Sequence, residues 1–286
     1  MENTITRNAY AKINLGLDVV RRLPNGYHEV RMIMQTVDIC DVLTFKKADE
    51  GIRLTVDNME LPTDGNNLIC KAAKLLLDTA GVQGGVDITL EKHIPIAAGM
   101  AGGSTDAAAA LIAVNELYDL GYSVETLKEL GVKIGADVPY CIEGGTALAE
   151  GIGEVLSPLP APPACCLVVA KPDINVSTKF VYENLKANEL EVHPDIDGMI
   201  NCLSEGDLQG VAERLGNVLE TVTVPAYPII RDIKEKLVAA GAINALMSGS
   251  GPTVFGLFTD CEQAEVAAEL IRNQKLAKQV FVTTFH

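Results

Sequence analysis

One stretch constrains this chain more than any other: PIAAGMAGGSTDAAAAL, residues 95–111. Gly99, Gly102 and Gly103 are followed by Ser104, Thr105 and Asp106, and then by Ala107–Ala110. Glycines let a backbone turn tightly and approach a ligand closely. Ser, Thr and Asp start helices, and an alanine run continues one. The pattern predicts a glycine loop feeding a helix from Ser104 to about Tyr118. A helix N-terminus presents unpaired N–H groups and the positive end of a dipole, so such a loop binds anions, phosphate above all. The plain alternative is a small strand-to-helix turn. No Lys precedes Ser104, so this is not a Walker A loop, and the G-x-G-x-x-G spacing is absent.

The flanks read as alternating elements. Residues 6–20 alternate, with Ala9, Ala11, Ile13, Leu15 and Leu17 on one side and Tyr10, Lys12, Asn14 and Gly16 on the other. That period predicts a half-buried strand whose polar face carries Lys12 and Asn14. Pro24-Asn25-Gly26 is a turn. Strands are expected at about 27–38, 41–47, 52–56 and 86–92. Asn66 or Asn67 caps a helix to about Ala80, and Ser123 caps another ending near Gly135, with Asp137 in the loop beyond and Pro139 blocking continuation. Short strands follow at 145–150 and 153–156. Residues 156–166 hold four of the thirteen prolines and read as a connector, placing a boundary near Ala161. Beyond it come a strand at 166–172, helices at 177–186, 195–204, 207–221 and 228–240, strands at 243–248 and 253–258, a helix at 261–273 and a strand at 278–285. That order fits a ferredoxin-like sandwich with extra helices. The expected domains are residues 1–160 and 161–286.

Charge and composition remove several functions. A formal charge of −15 disfavours nucleic acid or an anionic membrane as partner, while leaving room for a small phosphorylated ligand in a local positive spot. The seven cysteines are scattered without a C-x-x-C pair, which argues against zinc and for reduced thiols in the cytoplasm. MENTITRNAY lacks a signal-peptide h-region, and no apolar run of about 18 residues predicts a membrane span.

Pro95–Thr105 resembles the phosphate loop of the GHMP kinases, the galactokinase, homoserine kinase and mevalonate kinase family. SGSGPTVFGLF, residues 248–258, resembles that family's third motif. AYAKINLGLDVVRRLPNGYHEV, residues 9–30, and IGADVPY, residues 134–140, resemble the branch that acts on cytidine diphosphate-linked methylerythritol. The resemblance runs from about residue 5 to the C-terminus. It implies an α+β, two-domain GHMP kinase fold, with an N-terminal ribosomal-protein-S5-like domain and a C-terminal ferredoxin-like domain with extra helices.

The same resemblance implies site residues. ATP would sit on Pro95, Ile96, Ala97, Ala98, Gly99, Met100, Ala101, Gly102, Gly103, Ser104 and Thr105, with Asn67, Leu68 and Lys92 at adenine and ribose. Lys12 and Asp137 match the catalytic pair, one as positive charge near the γ-phosphate and one as base for the substrate hydroxyl. The family uses Mg²⁺; Ser104 is a metal-ligand or N-cap candidate and Asp106 a further ligand candidate. Tyr27 and His28 resemble a cytidine-recognition pair, since a cytosine stacks on an aromatic ring and pairs through its edge with imidazole. Asn14 joins them, Met34 replaces a second stacking aromatic, and Thr178 and Tyr182 approach the cytidine end. Gly249 and Gly251 offer N–H groups to the substrate diphosphate. The competing plain readings are a surface lysine for Lys12, a loop residue for Asp137, a cap for Asn67, a strand-end surface histidine for His28 and a simple hairpin for 248–252. His93 and His193 are expected to be structural. Competing functions are another small-molecule GHMP kinase, or a nucleotide- or sugar-binding regulator without turnover.

Overall fold

The computed structural model describes residues 3–57 and 61–286. In chain order its elements are β1 (Thr4–Arg22), β2 (His28–Ala48), β3 (Ile52–Val56), α1 (Leu68–Ala80), β4 (Gly85–Glu91), α2 (Gly102–Leu117), α3 (Val124–Val132), α4 (Val138–Glu143), β5 (Thr146–Glu150) and β6 (Val155–Pro158). Then follow β7 (Cys166–Lys171), α5 (Thr178–Asn184), α6 (Ile196–Glu205), α7 (Leu208–Glu213), β8 (Gly216–Asn217), α8 (Glu220–Ala226), α9 (Ile229–Ala239), β9 (Asn244–Met247), β10 (Val254–Phe258), α10 (Cys261–Asn273) and β11 (Gln279–Thr284). One sheet runs β3-β4-β2-β1-β8, with β5 on β2 and β6 on β5; the other runs β11-β7-β10-β9.

The chain divides into two compact units, Met1–Ala11 with Ile39–Ile96 and Ala101–Gly144, and Lys12–Asp38 with Ala97–Met100 and Gly145–His286. In the first, β4 lies antiparallel to β2 and parallel to β3. Leu43, Phe45, Ile88 and Leu90 form a core with Leu76 and Leu77 of α1 and Ala107–Ala110 of α2. The alanines keep α2 thin, so α1 packs closely against it. Asn67 caps α1 by accepting from the Ile69 N–H at 2.9 Å, and Ser123 caps α3 by accepting from the Thr126 N–H at 3.2 Å.

Four expectations change here. The two strands read at 27–38 and 41–47 are the single β2, because Asp41, a turn-forming type, is buried and its carboxylate accepts from the distant His93 and Ile94 N–H groups instead of closing a local turn. The loop helix starts at Gly102, two residues early, because Ala101 adopts the left-handed conformation and ends the turn; Ser104 is therefore inside α2 and is not its cap. Pro139 does not stop a helix; it sits in the first turn of α4, where its missing N–H costs nothing. Residues 207–221 are α7, β8 and the start of α8, since the Asn217 side-chain oxygen takes the Leu219 N–H at 2.9 Å and breaks the helix.

In the second unit β7, β9, β10 and β11 pair antiparallel throughout, with β7 and β10 central. This is the ferredoxin-like strand order expected from the sequence. Phe255, Leu257 and Phe258 of β10, Ile233 and Leu237 of α9, and Ala267 and Ile271 of α10 are buried in its core. Both faces of β1 are covered between Lys12 and Leu17, so the polar face expected to be solvated is buried. Gly16 illustrates this: a Cβ there would stand 2.6 Å from Ile196 Cδ1 of α6, so a larger residue would push that side chain aside. Cys166 and Cys261, at the starts of β7 and α10, are joined by a disulfide with Cα atoms 5.3 Å apart, contrary to the all-reduced reading. Scattered spacing hid a pair that is 95 residues apart.

Candidate active site

The glycine loop is built from left-handed steps. Ala97, Gly99 and Ala101 have φ of 50°, 71° and 57°. A left-handed alanine costs about 1–2 kcal/mol, and such strain persists where the surroundings fix it, commonly at functional sites. Backbone that alternates in hand is the kind that can present successive N–H groups to an anion. The loop ends in α2, whose N-cap makes no side-chain hydrogen bond; a helix N-terminus of this kind suits an anion.

In the first unit, one buried cluster holds both stems of that loop. Asp41 Oδ1 accepts from the N–H of His93 at 2.6 Å and of Ile94 at 2.8 Å, while Oδ2 pairs with Lys92 Nζ. Lys92 Nζ also donates to Asp106 Oδ2 at 2.9 Å. The Asp41, Lys92 and Asp106 side chains are 0%, 4% and 4% exposed. Burial, opposed by Lys92 and reinforced by Asp41, pushes the Asp106 carboxyl up to about 8. Lys92, expected at adenine and ribose, thus has its ammonium engaged by the Asp41 and Asp106 carboxyl groups. A Cβ on Gly103 would meet only Leu68 Cδ1, at 3.5 Å, and one on Gly135 would lie 3.8 Å from Ser104 Oγ. Ser104 therefore stands beside the turn that leads to Asp137. Asp137 is the N-cap of α4 without a side-chain cap bond and is partly exposed. Thr105 Oγ1 donates to the Tyr10 carbonyl at 2.7 Å. His93 has a partner, Nδ1 lying 3.0 Å from the Cys40 carbonyl.

In the second unit, Lys12 Nζ donates to Asn14 Oδ1 at 2.8 Å, and Asn14 Nδ2 meets Met32 Sδ at 3.3 Å. Both residues are buried, so the amide fixes the direction of the ammonium. The Lys12 N–H reaches the Met100 carbonyl at 3.2 Å. The Ser248 hydroxyl donates to the Gly99 carbonyl at 2.9 Å, and a Cβ on Gly99 would stand 2.3 Å from the Ser248 carbonyl oxygen. The glycine loop and the 248–252 turn therefore interlock. Asn217 braces that turn, donating to the Met247 and Gly249 carbonyls at 2.8 Å each. The Gly251 N–H, expected to face an anion, donates to the Ser248 carbonyl at 2.9 Å, closing the turn on itself.

The residues expected at a cytidine fall partly together. The His28 and Tyr182 rings lie 5.1 Å apart at 39°. Burial, with help from Arg22, lowers the His28 pKa and so favours the neutral imidazole. Thr178 Oγ1 lies 2.8 Å from Ser250 Oγ, joining the N-terminus of α5 to the turn. Tyr27 is 58% exposed, while Met34 is fully buried. His193, expected to be structural, has Nδ1 2.8 Å from Asp18 Oδ1.

The comparisons with known proteins meet this geometry. The N-terminal domain of the GHMP kinases matches residues 67–145, and their C-terminal domain matches residues 198–276. A 4-diphosphocytidyl-2-C-methyl-D-erythritol kinase of Lachnospira eligens is 50% identical over 281 residues, 98% of each chain. The chain belongs to the GHMP kinase family. GHMP kinases use ATP as phosphate donor toward small molecules. Within the family, a Lachnoclostridium phytofermentans relative of the same name is 52% identical, covering 98% of this chain and 97% of its own. A crystal structure of 4-(cytidine 5'-diphospho)-2C-methyl-D-erythritol kinase superposes with a TM-score of 0.85 at 33% identity, covering 98% and 99% of the two chains. A homoserine kinase from Cytophaga hutchinsonii, at TM-score 0.83 and 23% identity, shares the GHMP kinase fold, covering 100% and 96%. Among the described residues no group of three or more His, Cys, Asp or Glu forms a metal cage, and no helix is long and apolar enough to cross a membrane.

Proposed function

We propose that this chain phosphorylates the 2-hydroxyl of 4-diphosphocytidyl-2-C-methyl-D-erythritol with ATP, giving the 2-phosphate and ADP, in the methylerythritol phosphate route to isoprenoid precursors. The observation that carries this is 50% identity across 98% of the chain to a kinase of that name. The reaction takes place in the cytoplasm. The functional division is residues 1–160 and 161–286, supported by family matches that fall one on each side, at 67–145 and 198–276.

The ATP phosphates lie on residues 95–105, and Asn67, Leu68 and the Lys92 main chain border the nucleoside. Asp137 accepts the substrate hydroxyl proton, and the Lys12 ammonium stabilises charge on the transferring group. Ser104, which stands beside the turn leading to Asp137, would supply a protein oxygen to Mg²⁺, with Asp106 a further candidate; Mg²⁺ keeps several waters and leans on phosphate, so few protein ligands are needed. When bound, Mg²⁺ neutralises charge on the β- and γ-phosphate oxygens. His28 and Tyr27 receive the cytosine, Thr178 and Tyr182 approach the cytidine end, and the buried Met34 stands in place of a second stacking aromatic; Asn14 and Gly249 reach toward the methylerythritol and diphosphate.

A coupled ADP-release assay tests the reading. ADP release is expected with the cytidine diphosphate-linked alcohol and not with homoserine or mevalonate. Release with either of those alone assigns another GHMP kinase activity, and ATP binding without release on any of the three would leave a regulator.

A further inference from the structure

The Asp41 carboxylate is the hub of the cluster around the glycine loop, yet no comparison gives it a role. It lies on β2, outside residues 95–111, and is 0% exposed. Its Oδ1 takes the two main-chain N–H groups that lead the chain into the loop, at His93 and Ile94. Its Oδ2 pairs with Lys92 Nζ, which also donates to Asp106 Oδ2 in the second turn of α2. One carboxylate thereby holds the incoming stem directly and the outgoing helix through one ammonium. A cluster that only filled the core would not need main-chain bonds at one stem and a side-chain bond at the other.

We propose that Asp41 is a positioning residue for ATP, fixing both stems of residues 95–105 so that the phosphate cradle exists before nucleotide arrives. This rests on the placement of ATP proposed above. A buried pair that loses one partner leaves an uncompensated charge, and the structure rearranges to relieve it. Asp41→Asn keeps the shape and an oxygen for the two N–H groups, while its amide cannot serve as the ammonium's anionic partner. The loop then spends less time in its binding-competent form. Apparent affinity falls in proportion to that fraction, while bound ATP still reacts from the correct arrangement. The expected result is a KM for ATP raised by about tenfold or more, with kcat at saturating ATP and the KM of the alcohol substrate changed far less. A residue serving stability alone would lower the melting temperature without this split.

ATP affinity is measured by calorimetric titration on folded Asp41→Asn and, as a control for the ATP site itself, on Gly103→Ala, whose methyl group meets only Leu68 Cδ1 and none of the cluster. Weakened binding in both supports the clamp. Unchanged affinity in Asp41→Asn beside a loss in Gly103→Ala overturns the clamp and leaves the ATP site standing. Unchanged affinity in both overturns the placement on which the clamp rests. Should Asp41→Asn not fold, amide hydrogen exchange on the native chain decides: the His93 and Ile94 amides must be protected without ATP, and free exchange there overturns a preformed clamp.

Discussion

Gly103→Ala separates the functional reading of the glycine loop from a structural one. Gly103 is exposed in the first turn of α2, and a Cβ there meets only Leu68 Cδ1, at an ordinary 3.5 Å. Nothing in the fold requires glycine. Removing its backbone freedom from the unfolded chain stabilises by about 0.4–1 kcal/mol, which for a chain of this size raises Tm by roughly 1–4 °C. Under the proposed placement of ATP, the same methyl group stands in the path of a phosphate approaching the helix N-terminus. Losing one charge-assisted hydrogen bond costs about 1.5–3 kcal/mol, so ATP binding should weaken by roughly 10–100-fold. Melting curves and calorimetric ATP titration read both effects on one variant. Gly99→Ala is the internal contrast. Its φ is 71° and its Cβ would lie 2.3 Å from the Ser248 oxygen, so it should destabilise by roughly 2–5 kcal/mol. A Gly103→Ala protein that is more stable and binds ATP within a factor of about two of the parent refutes the phosphate cradle.

Other substitutions divide the chemistry. Asp137→Asn keeps size but cannot accept a proton, and should cut kcat by roughly 10²–10⁴-fold with little change in ATP affinity; unchanged kcat removes Asp137 as base. His28→Ala should raise the KM of the cytidine substrate more than it lowers kcat. If that KM does not move while Asp137→Asn abolishes turnover, the kinase stands and the cytidine contact falls. The Asp106 carboxyl, raised from 3.8 to about 8, keeps in the folded chain a proton that the unfolded chain has released. Its contribution to stability is full below its ordinary pKa and is lost as pH rises through the folded value. Asp106→Asn should therefore gain stability relative to the parent as pH rises from 5 to 9, read from urea midpoints. Parallel pH profiles for the two proteins would contradict a buried, protonated Asp106.

The sequence made the loop, the ferredoxin-like order and the Lys12–Asn14 pair legible, because each depends on local pattern or short spacing. The start of α2 was misjudged because Ser104 suits a cap, whereas the left-handed Ala101 decides the boundary. Asp41 went unseen although a signal existed. Ile39, Asp41, Leu43 and Phe45 share strand parity, and all are buried. A carboxylate on an inward row needs a partner. That partner, Lys92, is 51 residues away and could not be named from spacing. The same distance problem hid the bonds of Asn217 to the 248–252 turn and the Cys166–Cys261 disulfide.

The position of the transferred phosphate tests the central claim most directly. Purified protein is incubated with ATP, Mg²⁺ and 4-diphosphocytidyl-2-C-methyl-D-erythritol, and the products are followed by phosphorus NMR with coupling to carbon-bound protons. The account predicts ADP together with one new phosphomonoester on the 2-hydroxyl, with the substrate diphosphate intact. A monoester on another hydroxyl, or ADP formed with no new ester, would contradict it.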